Sequence, residues 1–163
     1  MTKPSNISDF ISELDASAAN QIILSDISVT TATPKLPSPL LTASGALENA
    51  SLILVTMTSK CGIEGHSYLF SPNAKLLPAL ASAVSVAFDE VKGRSCSPEM
   101  NTDYLLDKFK LFGGTGILTM AFAAVDMASW DLLAHALRKP LYRLWGGTKM
   151  TISSYESSGL SIG

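Results

Sequence analysis

Few side chains in this sequence can do chemistry, and their spacing limits what they can do. Asp126 and Asp131 are two carboxylates five residues apart in an apolar stretch. Such a pair suits general acid/base work if both groups reach one point. On a helix, five residues turn roughly 140°, so the two do not converge on one small site and structural roles are expected. Asp131 and His135 are an i, i+4 pair, set to interact across one helical turn. His66 stands alone in a β-type stretch, where a structural histidine is expected rather than a metal ligand or a base. Cys61 and Cys96 are the two cysteines; they lack metal-ligand spacing and read as free thiols. Ser153, Ser154, Ser157 and Ser158 crowd the last segment and, taken alone, read as strand or turn serines. By themselves these residues form neither a catalytic set nor a metal site.

The elements that must position them can be read from the periodicity. Ile22 to Thr31 is rich in β-branched residues and partly alternating, a strand. Pro34, Pro37 and Pro39 end it, because proline cannot donate to a ladder. Residues 33–49 then read as a long loop carrying Leu36, Leu40, Leu41 and Leu47, and loops of that length are usually functional or mobile. Ser51 to Thr58 is a second strand, Ser59 to Gly62 a tight turn in which glycine supplies a positive φ, and Ile63 to Phe70 a third strand. Three such strands suggest an antiparallel meander.

The rest is helical. Pro72 to Val91 has apolar residues at helical spacing, with a start near Asn73 and a bend at Pro78, or a start at Pro78 itself. Ser97 and Pro98 mark another start, as N-cap and first helical residue, and that helix runs to about Phe112. The longest helix spans about Thr115 to Arg138, and Leu141 to Trp145 makes a short turn. Thr151 to Ser157 reads as one more strand. Strands followed by helices indicate an α+β fold.

Composition excludes several classes. The chain has 163 residues, 47% hydrophobic and 16% charged, with net charge −2. It can bury a core, so wholesale disorder is excluded. No basic stripe exists, which argues against nucleic acid. The first residues lack the apolar core of a signal peptide, and no run reaches ~18 uncharged apolar residues, so no membrane span is expected. The expectation is a cytoplasmic protein.

One long motif goes further. Ala121-Phe122-Ala123-Ala124-Val125-Asp126-Met127-Ala128-Ser129-Trp130-Asp131-Leu132-Leu133-Ala134, continued by Pro140-Leu141, Leu144 and Gly146, resembles the signature of the mandelate racemase/muconate lactonizing enzyme family of the enolase superfamily. Ser129, His135 and Trp145 stand where that family usually has an apolar residue, a Lys, Arg or Gln, and an aliphatic residue. Gly65 to Phe70 resembles the third-strand segment of mandelate-racemase-type members, and Tyr155-x-Ser157 the segment that opens their first barrel strand. The matches keep one register from about Ile22 to Gly159.

The resemblance implies an N-terminal capping domain, a three-stranded antiparallel meander followed by a helical bundle, with the first strand of a truncated (β/α)₈ barrel. The division it implies is an N-terminal extension over 1–20, the capping domain over 21–149 and the start of the barrel over 150–163. It implies that the loop at 33–49 closes over a substrate, with Leu40 and Leu47 presenting apolar side chains to it and Ser157 contacting the substrate carboxylate. Pro72 falls where such members have an apolar contact. The intact homologue is expected to bind Mg²⁺ and, as an isomerase or lyase, to abstract the α-proton of a hydroxy acid. The catalytic and metal residues lie on later barrel strands. This chain alone is therefore expected to be inactive and to hold no cofactor, and to meet substrate only when a barrel is supplied. Self-association or a barrel partner is expected. The alternatives are a complete, non-catalytic protein-interaction module or one half of a split enzyme.

Overall fold

A computed structural model describes residues 22–42, 45–71, 73–149 and 151–155. The chain opens with β1 (Leu24–Ala32), then β2 (Lys35–Thr42) and β3 (Gly45–Asn49), then β4 (Ser51–Ser59) and β5 (Glu64–Ser71). Strands β1, β4 and β5 form one antiparallel sheet in the order β1-β4-β5, which is the expected meander. Between β4 and β5 the turn closes as the glycine requires. Gly62 has φ +80°, and its N–H donates to the Ser59 carbonyl at 2.9 Å.

The segment expected to be a loop at 33–49 is instead a second, two-stranded sheet, β2 against β3. The prolines explain both the expectation and the outcome. Five residue steps of β2, Lys35 to Leu40, face two steps of β3, Asn49 to Leu47, so the ladder is interrupted over Pro37 and Pro39, where two N–H donors are missing. Pairing resumes at Leu40–Leu47, Leu41–Ala46 and Thr42–Gly45.

Alternation on β4 shows which way the main sheet faces. Ser51, Ile53, Val55, Met57 and Ser59 are buried while their neighbours are more open, as a period of two demands. The buried face carries α1 (Leu77–Val91) and α3 (Ile117–Leu137); α2 (Pro98–Lys108) packs on those two helices, and a short α4 (Leu141–Leu144) follows. A 3₁₀ turn over Ala74–Leu76 precedes α1, so the helix starts at Leu77 with Pro78 in its first turn, where proline costs no hydrogen bond. Ser97 takes the N-cap position of α2, but its hydroxyl makes no capping bond; its carbonyl accepts from Asn101 N–H at 2.9 Å.

Helix α3 is the centre of the domain. It buries Ala121, Ala124, Val125, Ala128 and Leu132 against the sheet and α1. It is long and apolar enough to cross a membrane by length and composition, with mean hydropathy 1.5, yet 56% of that stretch is buried inside the fold. Packing therefore accounts for its apolar composition. The small residues let it approach β5 so closely that a Cβ at Gly65 would strike the Ala128 carbonyl and the Leu132 N–H. Glycine at 65 is a packing requirement.

Thr151–Tyr155 lies outside any strand, unlike the expectation. A strand exists only where its N–H and C=O groups find a ladder, and none is at hand among the described residues. The N-terminal extension 1–20, the side chain of Pro72 and Ser157 lie outside the described residues.

Candidate functional site

Two regions hold the residues singled out by their chemistry. The first is the β2–β3 ribbon. Leu40 and Leu47 are Cα partners across it, so their side chains share one face. Both are half-buried, while Leu41 on the other face is 60% exposed. The ribbon shares no ladder with the main sheet; Ala50 N–H to the Pro34 carbonyl, 2.9 Å, closes its base. It presents a paired apolar face on a backbone that largely supports itself.

The second region is the seam between β5 and α3. An antiparallel edge strand exposes the N–H and C=O of alternate residues, and here two side chains of α3 cover them. Asp131 Oδ2 accepts from the His66 N–H at 2.8 Å. His135 Nδ1 lies 2.8 Å from the Glu64 carbonyl, so that nitrogen carries the proton and donates. The i, i+4 pair of Asp131 and His135 stands 3.9 Å apart, so each bonds mainly to the strand. The His66 ring is not isolated either. Its Nδ1 sits 3.2 Å from Thr56 Oγ1, and its ring meets that of His135 edge-on at 6.5 Å.

Asp126 has another partner. Thr102 on α2 donates to its Oδ1 at 2.9 Å. Partial burial raises the pKa of this carboxyl, and the Thr102 bond opposes that rise. Asp126 and Asp131 thus hold α3 to different elements. They still line one cavity, of about 370 Å³, which the 140° rule did not anticipate; the cavity runs along the helix rather than ending at a point.

The cysteines differ. Cys61 is exposed, and its hydrogen bond with Ser59, 3.2 Å away, is the main cause that lowers its pKa. Cys96 is buried, donates to the Ser129 carbonyl at 3.3 Å, and has its pKa pushed up to about 12 by desolvation. Among the described residues no group of three or more His, Cys, Asp or Glu is placed to hold a metal ion.

The family model for the mandelate racemase / muconate lactonizing enzyme N-terminal domain matches residues 26–146, which is most of the described fold. The chain belongs to that family, as its N-terminal capping domain. It is 28% identical over 131 residues to the L-talarate/galactarate dehydratase of Salmonella typhimurium, a match covering 78% of this chain and 32% of that protein. It is 38% identical over 61 residues to the arabinonate dehydratase of Saccharolobus solfataricus, covering 35% of this chain and 16% of that one. An enolase from Bradyrhizobium, complexed with magnesium and mandelic acid, shares the fold with TM-score 0.72 and 30% identity, over 77% of this chain and 35% of its own. The chain thus spans about a third or less of the length of these relatives.

Family membership puts the three departures from the signature in a new light, since each is accommodated locally. The Ser129 hydroxyl donates to the Val125 carbonyl at 2.8 Å, so the buried oxygen is satisfied. His135 closes the β5 edge. Trp145 packs edge-on against Trp130 at 5.7 Å. Of the residues implied to meet substrate, the fold brings Leu40 and Leu47 together, while Ser157 lies outside the described residues. The cavity beside α3 was not foreseen, although the two acids of the signature were the signal for it.

Proposed function

We propose that this capping domain serves as the lid of a Mg²⁺-dependent isomerase or dehydratase that removes the α-proton of a hydroxy-acid carboxylate. The observation that carries the reading is the Leu40–Leu47 pair on a ribbon outside the main sheet. A lid must present apolar surface to a substrate and move or seal without disturbing the core. Once closed, it excludes water and strengthens each electrostatic interaction within. In this reading Leu40 and Leu47 cover the substrate, and Ser157 binds its carboxylate at the mouth of a barrel, where barrel chemistry collects. Two dehydratase relatives and the magnesium and mandelic acid held by a third protein support the reaction class.

The described residues do not fit Mg²⁺. In this reading the metal and the acid/base groups belong to a barrel, and no chemical step is assigned to this chain.

The test is made on the native protein from its source cells. Its intact mass is compared with the 17.2 kDa of this chain, and α-deuterium exchange into hydroxy acids is followed in D₂O with Mg²⁺. The expected result is a much heavier chain, or a co-purifying barrel, with exchange that requires Mg²⁺ and a raised KM in the Leu40→Asp and Leu47→Asp variants. A lone 17.2 kDa protein without a barrel, or exchange indifferent to both variants, would overturn the reading.

A further inference from the structure

The cavity of about 370 Å³ beside α3 is separate from the lid. Tyr68 on β5, Trp130 on α3 and Trp145 after α4 supply aromatic walls, Met127 adds a thioether, and Asp126 and Asp131 supply carboxylates. Tyr68 is 65% and Trp145 48% exposed, so the cavity opens to solvent. The two acids are separated by about 7.5 Å along the helix axis, one nearer each end. Asp131 is engaged with His66. Among the described residues Asp126 has the neutral Thr102 as its partner and no basic group. No lysine or arginine lines the cavity. Arg143, two residues past Leu141, lies instead over the Tyr142 ring at 5.1 Å.

A half-buried carboxylate with no positive partner is an uncompensated charge, and aromatic faces attract cations. Both features call for the same occupant. A planar guanidinium stacks on Trp or Tyr while donating to a carboxylate, which an ammonium does less well. We infer that this cavity is a socket for an arginine side chain presented by a partner polypeptide. The inference goes beyond the proposed function and stands whether or not the lid reading holds.

The two tryptophans of the chain both line the cavity, so their indole N–H signals report on it directly. The ¹⁵N-labelled chain is titrated with N-acetylarginine amide and, in parallel, with N-acetylcitrulline amide, which has the same shape and no charge. The expected result is saturable movement of both indole signals with the arginine probe, little with citrulline, and roughly fivefold weaker binding in Asp126→Asn, a variant that keeps an acceptor for Thr102. Should that variant fail to fold, Trp145→Leu is expected to weaken binding as read at Trp130. Equal response to the two probes would mean an apolar pocket and overturn the inference. So would no response to either, or unaltered binding in the folded variant.

Discussion

The seam and the ribbon use β-structure in opposite ways. At the seam, β5 lies against a helix with no room for a methyl group, and side chains of α3 bond to its backbone. In the ribbon, β2 and β3 pair with each other, and their one shared apolar face is only half-buried. At Gly65 the seam leaves no space for even one added carbon, whereas the ribbon leaves Leu41 exposed and Leu40 and Leu47 half-buried. The contrast separates what the fold needs from what a substrate would need.

The strongest way to break this contrast is at Gly65. Gly65→Ala pushes a Cβ into the backbone of α3, and a loss of about 3 kcal/mol is expected in urea unfolding. A loss below about 0.5 kcal/mol would mean that the helix can slide. Next comes Asp131→Ala, which removes the acceptor of the His66 N–H. About 1 kcal/mol is expected, together with faster amide exchange at His66.

Asp126 gives a smaller effect whose sign depends on pH. Its pKa is raised in the fold, so the folded state binds more protons than the unfolded state between the unfolded and folded values. Stability is then lost as pH rises through that window. Asp126→Asn is expected to flatten the acid side of the stability profile and to be slightly more stable than the parent at neutral pH. A steeper profile in the variant would contradict the burial argument. The smallest effect is expected in the ribbon. Leu40→Ala and Leu47→Ala are each expected to change thermal stability by less than about 0.5 kcal/mol, and a larger loss would make the ribbon part of the core.

The sequence disclosed these regions unequally. Strands β1 and β4 were legible because β-branched residues and alternation mark them directly, and β5, which has no β-branched residue, because the tight turn at Gly62 precedes it. The ribbon was hidden because Pro37 and Pro39 look like breakers. They do break the ladder, but pairing resumes beyond them at Leu40, and pairing across a bulge leaves no period to read. The helices were legible to within a few residues, since Pro78, Pro98 and Gly113 punctuate them. The seam was half legible. Gly65, Asp131 and His135 all lie in recognisable motifs, yet the bond from His66 to Asp131 joins residues 65 apart in sequence, a relation that local spacing cannot carry. Leu40 and Leu47 emerged as a pair only when the register was known.

The interrupted ladder also bears on solubility. A free-standing two-stranded ribbon offers its outer edges to any other extended chain, and such edges nucleate fibrous aggregates. Strand β2 carries Pro37 and Pro39 in its middle, so an incoming strand would meet missing donors and a distorted backbone halfway along. The irregularity that disguises the ribbon as a loop also works against edge-to-edge pairing along β2.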